Sequence, residues 1–85
     1  MARYQILYWQ DIPAQVKAWD DFDEVKVELA PPFMEQIDQA AQRQGLTSTD
    51  DYLGQWRWSE EQERPGEPDE VAEAVRDALE ATLGP

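Results

Sequence analysis

The chain has 85 residues, 19 acidic against 7 basic for a net charge of −12, and contains neither cysteine nor histidine. Without cysteine there is no disulfide, thiolate ligand or thiol nucleophile, and without histidine the usual near-neutral base and the commonest zinc ligand are missing. A free-standing hydrolase or metalloenzyme is therefore not expected, and the acidic field opposes contact with phosphate backbones and anionic membranes.

A chain this short buries only about 60–65% of its unfolded surface, so its core must come from a few large side chains. Four Trp, three Tyr and two Phe supply them, each burying on the order of 150–250 Å². No basic-then-apolar leader opens the chain and no apolar run approaches the ~18 residues of a membrane span. The expectation is one α+β domain over residues 1–85 in the cytoplasm, with no cofactor.

Alternation with period two comes first. From Ala2 to Trp9 one face carries Tyr4, Ile6 and Tyr8, and the other Arg3, Gln5, Leu7 and Trp9. Apolar groups on both sides predict a central strand, or one covered on both faces. The polar, proline-bearing connection Gln10 to Ala14 then leads to a second alternating run, Gln15 to Asp20, so the two read as a β-hairpin. Asp11 lies between aromatics at its tip and is read as an Asx-type turn residue, accepting a backbone N–H two residues on. Asp20-Asp21-Phe22-Asp23 is a turn. Glu24 to Leu29 alternates cleanly, with Val25, Val27 and Leu29 inward.

Pro31 and Pro32 open a helix whose stripe is Phe33, Ile37, Ala40 and Ala41, closed by Gly45 with Leu46 packing back. Thr47 to Asp50 offers N-caps for a short second helix or turn that ends at Gly54. Gln55 to Gln62 is strand-like at Trp56-Arg57-Trp58 and becomes a polar edge or loop from Ser59. Arg64-Pro65-Gly66 is a turn, with Arg64 expected to tie it to a nearby acid. Pro68 begins the clearest helix, with acids in its first turn, an apolar stripe of Val71, Ala74, Val75, Ala78, Leu79 and Leu83, and Gly84-Pro85 as its stop. The acidic blocks read first as solvated loops and helix starts. A sharper reading is attraction to a basic protein or mimicry of nucleic acid.

The order β-β-β-α-(α)-β-α predicts a small antiparallel sheet with two amphipathic helices packed on one face. The other face would hold a mixture of Leu7, Trp9, Trp19, Trp56 and Trp58. Such a patch on a monomer marks an interface, and Trp, Tyr and Arg dominate interface energetics. Tyr8, Trp9, Asp11, Gln15, Trp19, Trp56, Arg57 and Trp58 are the candidate partner-binding residues. The alternative is that the tryptophans are ordinary core.

The segments Tyr8-Trp9, Asp11-Ile12-Pro13-Ala14-Gln15-Val16, Phe33 to Leu46 and Trp56-Arg57-Trp58 through Glu63-Arg64-Pro65-Gly66 resemble a small bacterial "virulence factor" domain family. That family occurs as short stand-alone proteins and as one module of conserved virulence factor C proteins. The resemblance covers nearly the whole chain and brings no established catalytic activity. The family label describes a phenotype, not a chemistry. Stand-alone members accompany one-carbon genes for folate and corrinoid methyl transfer, so the resemblance also implies an alternative role as a subunit beside a one-carbon metabolism enzyme, with Asp11, Gln15 or Arg57 completing a site. Val25 to Leu29 followed by Phe33, Ile37, Ala41, Gly45 and Thr49 to Leu53 is also similar to a ribbon-helix-helix DNA-binding module. Against that stand Glu28 on the strand surface, the missing basic stripe, and the hairpin, strand and helix that have no place in so small a fold. The expected function is a non-enzymatic accessory protein that binds another protein through its aromatic hairpin and sheet surface.

Overall fold

The computed structural model of the chain describes residues 1–46 and 48–83. Its elements are β1 (Ala2–Trp9), β2 (Ile12–Trp19), β3 (Glu24–Glu28), α1 (Pro31–Arg43), α2 (Thr49–Leu53), β4 (Trp56–Trp58), β5 (Gln62–Arg64) and α3 (Pro68–Leu83). All strand pairs are antiparallel, in the order β3-β2-β1-β4, with β5 also pairing β1. The fold is α+β, as the alternation and helical stripes predict. The expected helix stop at Gly84-Pro85 and the possible cap at Thr47 lie outside the described residues. Ser48 fills the capping role, its Oγ accepting the Asp51 N–H at 3.2 Å.

The first hairpin is tighter than the sequence suggests. Its loop is only Gln10 and Asp11, and β2 already begins at Ile12. Pro13 sits inside the strand opposite Tyr8, and the register slips between Leu7↔Gln15 and Tyr8↔Pro13, leaving Ala14 as the extra residue of a bulge. The β2–β3 ladder starts only at Gln15↔Glu28, so Pro13 lies beyond it and its missing N–H costs no ladder bond there. Pro13 also rules out the turn expected of Asp11, because the residue two positions on has no N–H to donate.

That chemistry appears at Asp20 instead. Its Oδ1 accepts the N–H groups of Phe22 and Asp23, each at 2.8 Å, and its own N–H donates to the Asp23 carbonyl at 2.9 Å. The acidic turn is therefore locally tied.

The run from Gln55 to Gln62 is not one strand. β4 and β5 lie in tandem along one edge of β1, against Leu7–Trp9 and Ala2–Tyr4 respectively. Between them Ser59 replaces a strand residue. Its N–H donates to the Ile6 carbonyl at 2.8 Å, and its Oγ accepts the Ile6 N–H at 2.8 Å. Gln5 Nε2 donates to the Ser59 carbonyl at 2.9 Å. The hydroxyl keeps β1 hydrogen-bonded while Glu60 and Glu61 loop outward. β5 escapes the sequence pattern because Gln62, Glu63 and Arg64 are all exposed, so nothing apolar announces the strand.

Two clusters make the core. In the larger, Ala2, Ile6, Val16 and Ala18 of the sheet meet Leu29, Phe33 of α1, and Val71, Ala72 and Val75 of α3. Both helices thus supply this cluster. α3 departs in one detail from its expected stripe: Ala72 is buried, whereas Ala78 is exposed. The smaller cluster gathers Ala14, Ile37, Ala40 and Ala41 around Trp9, which is fully buried. Every residue of the expected α1 stripe is buried.

Trp9→Ala is expected to cost about 3–5 kcal/mol, the range for emptying a large aromatic site. Trp9→Phe should retain the fold at a smaller cost, and urea unfolding of the two variants measures the difference. At the acidic turn, the Asp23 and Phe22 N–H groups hold the Asp20 carboxyl below its ordinary range, the Asp23 bond being the larger cause. A carboxyl lowered by folding stabilises the fold above its unfolded-state pKa and loses that contribution as pH falls through the folded value. The gap in urea midpoint between wild type and Asp20→Asn should therefore be full above about pH 5 and close progressively below about pH 4. Taking the difference removes the opposite effect of discharging the other acids.

The candidate interaction face

Residues opposite one another in an antiparallel ladder share a face. The register therefore lays out one side of the sheet in three rows. Glu28, Gln15, Leu7 and Trp58 form the first; Lys26, Lys17 and Gln5 the second; Glu24, Trp19, Arg3 and Glu63 the third. None of these side chains is fully buried. On the reverse side Ile6, Val16 and Ala18 are buried in the larger core cluster. The three rows are the open face.

Lys17 organises it. Its Nζ lies 4.6 Å from the centroid of the Trp58 ring and 5.3 Å from that of Trp19, a cation held by two indoles on different strands. Trp58 remains 39% exposed, and Trp19 and Leu7 are half-buried. Arg3 pairs with Glu63 across the ladder at 3.7 Å, with both side chains mostly in solvent.

Beyond the first row the face is closed. There Ile12, Trp9 and Trp56 pair across the strands. Trp9 donates its indole N–H to the Tyr52 carbonyl at 2.9 Å and packs on the Tyr52 ring at 5.6 Å between centroids. Tyr52 in turn meets Trp56 edge-on at 6.2 Å. Burial, followed by the nearby Asp38 carboxylate, raises the Tyr52 phenol above its ordinary pKa. A depression of about 300 Å³ remains at this border, lined by Leu7, Ala14, Gln15, Leu29, Met34 and Trp56 among others.

The structure sorts the sequence-predicted residues into distinct places. Gln15, Trp19 and Trp58 share the open face, with Trp56 at its border. Trp9 does not belong to any surface: it is the largest fully buried side chain, and its role is structural. The bulge at Ala14 and the cover from α1 and Tyr52 are what bury it. Tyr8 and Arg57 are opposite each other in the ladder, on the reverse side, with the guanidinium 5.3 Å from the Tyr8 ring centroid. Asp11 is exposed at the hairpin tip and makes no side-chain hydrogen bond among the described residues. Arg64 likewise forms no ion pair among them; the nearby Glu63 meets Arg3 instead.

Three residues gain importance only in the structure. Lys17 looks like an ordinary polar strand position until the register sets it between two tryptophans. Phe22, 91% exposed at the acidic turn, stands beyond the Trp19 row. Gln10 adopts a left-handed φ of 56°, uncommon for a residue with a Cβ. Its N–H donates to the Gln55 carbonyl at 3.1 Å, and its carbonyl accepts from Arg57 Nε at 3.2 Å. Its side-chain amide pairs reciprocally with that of Gln44, at 2.7 and 2.8 Å. The strained turn is thus tied to the end of α1 and to β4.

No ionisable side chain is buried among the described residues, and none of the potential metal ligands there gather in threes. What the face offers is aromatic area, a caged ammonium and flanking amides, which suit contact. Fold and face together define a small acidic α+β domain with one aromatic sheet surface left open. Residues 7–84 match the family model described as virulence factor, and the chain belongs to that family. No curated protein and no solved structure matches it.

Lys17→Met should remove the cation while keeping most of the aliphatic stem, lowering stability by about 0.5–1 kcal/mol. The tryptophan emission should change with it, and chemical unfolding followed by fluorescence reads both.

Proposed function

We propose that this protein is a non-catalytic accessory factor that binds another protein through the open face of its sheet. The observation that supports this most is the cross-strand grouping of Trp58, Lys17 and Trp19 beside Leu7 on a face that neither core cluster covers. Rigid aromatics with few rotatable bonds lose little entropy on docking and recur at interface hot spots. The sequence supports the non-catalytic reading: without histidine or cysteine, chemistry would fall to carboxylates, and acids in exposed turns lack the burial that raises their pKa. The absence of cysteine fits a reducing cytoplasm. No helix among the described residues is long and apolar enough to cross a membrane.

The test is co-purification from the native host. Trp58→Ala and Trp19→Ala, each shown to be folded by circular dichroism, are expected to lose the partner that the wild type retains. Because a truncated hot-spot aromatic costs about 2 kcal/mol or more, recovery should fall at least tenfold. Asp11→Ala, at the hairpin tip and away from the three rows, should leave recovery unchanged. Full recovery with both tryptophan variants would reject this face, and loss with Asp11→Ala alone would move the contact to the tip.

A further inference from the structure

The open face runs against the composition of the chain. The protein has only two lysines, and they stand directly opposite each other, Lys17 on β2 and Lys26 on β3. Like charges directly opposite on a sheet destabilise it, whereas 19 acids were available to supply a favourable pair. Lys17 leans onto Trp19 and Trp58 rather than onto a carboxylate, Lys26 is exposed, and neither forms an ion pair among the described residues. The nearest base of the next row, Arg3, is already engaged by Glu63. In a chain of charge −12, the middle row holds two ammonium groups outside any ion pair among the described residues, with Trp19 and Trp58 against Lys17 and the acids Glu24 and Glu28 in the flanking rows.

From this placement we propose that the segment docking on the open face is acidic: an extended stretch of the partner seats a carboxylate between Lys17 and Lys26 and lays a neighbouring apolar side chain against Trp58 and Leu7. The inference rests on the reading of this face as the contact surface and adds the chemistry of what it contacts. A carboxylate at that point converts a repulsive cross-strand pair into a charge-assisted bridge. The apolar neighbour covers the part of Trp58 now in water. The acids around the rim, Glu24, Glu28 and Glu63, disfavour a second negative group outside the middle row and so fix where the carboxylate goes.

The decisive measurement uses ¹⁵N-labelled protein, following the indole N–H signals of Trp19 and Trp58. The probe is a blocked pentapeptide, Thr-Glu-Trp-Glu-Thr, compared with the same peptide carrying Gln or Lys in place of Glu. The Glu peptide is expected to shift both indole signals in a saturable way and the Lys peptide to leave them unmoved, although net charge favours the latter. Non-specific attraction cannot produce that order. Lys17→Gln and Lys26→Gln should each weaken the Glu peptide about two- to fivefold, the range for a surface ion pair, and binding should weaken as salt rises. Lys26→Glu should raise the unfolding midpoint while abolishing peptide binding, which separates a lysine kept for contact from one kept for stability.

Equal binding of the Gln and Glu peptides overturns the acidic assignment while leaving the face as a contact surface. No shift of either indole with the Glu peptide overturns it as well, independently of whether the tryptophan variants lose the native partner. Concentration-dependent self-association of the protein alone, lost in Lys17→Gln, would name a second copy as the occupant and likewise overturn the assignment to another protein.

Discussion

The indole of Trp9 holds the architecture together, because it is the point where the sheet, α1 and α2 meet. It ends β1, pairs across the sheet with Ile12 and Trp56, is enclosed by Ile37, Ala40 and Ala41 of α1, and gives its N–H to the carbonyl of Tyr52 in α2. A buried indole N–H without an acceptor would be destabilising, and a polar backbone carbonyl of a five-residue helix is an accessible one. α2 has no buried residue of its own. Its position therefore follows from Tyr52, through the indole bond and the aromatic contacts with Trp9 and Trp56. By closing one end of the sheet in this way, the chain leaves the remaining tryptophans of the same face uncovered.

The strained turn beside Trp9 serves the same closure. A two-residue loop demands a left-handed conformation, and the chain places Gln there rather than glycine. Left-handed backbone costs a non-glycine residue roughly 1–2 kcal/mol. The amide side chain that glycine lacks makes the reciprocal pair with Gln44 at the end of α1. Together with the backbone bonds to Gln55 and Arg57, this pair offsets the strain and fixes the hairpin tip to both neighbours. Ser59 is the counterpart on the other edge of β1, where one hydroxyl substitutes for a backbone carbonyl and lets two short strands share a single edge.

Much of this was legible in the sequence, and the failures have identifiable physical causes. Periodicity identifies what faces the core, so Val25, Val27, Phe33, Ile37 and Val75 were readable, as was the α+β class. Periodicity is blind where burial does not decide. β5 is exposed throughout and is held by its backbone ladder to Ala2–Tyr4 and by the polar contacts of Gln62 with Tyr4 and Glu63 with Arg3, and no composition signal marks such a strand. It also cannot detect a bulge: Ala14 shifts the register by one, which moves Pro13 from loop to strand. The tryptophans posed the question of core against interface, and the answer divides among them. Trp9 is core, Trp58 is surface, and Trp19 and Trp56 are half-buried. Only the pairing of β1 with β2 and β4 tells these cases apart, because it sets which indole meets a helix and which meets water.

The distribution of charge matters more than its total. A net charge of −12 opposes the approach of anionic surfaces over most of this molecule. If the acids served solubility alone, the lysines would be expected where they neutralise acids, as Arg76 does beside Asp77 and Glu80. Instead they stand opposite each other, in no ion pair among the described residues, on the face that carries the exposed Trp58. A sheet that only had to fold would gain from a carboxylate opposite Lys17, where Lys26 stands. Keeping a second ammonium group at Lys26 forgoes that gain in a domain too small to have much stability to spare. The reading that accounts for both the repulsion and the uncovered tryptophans is that something else completes the row. On that reading, the surrounding acids discriminate: Glu24, Glu28 and Glu63 disfavour a negative segment elsewhere on this face and leave the Lys17–Lys26 row as the place where it is accepted.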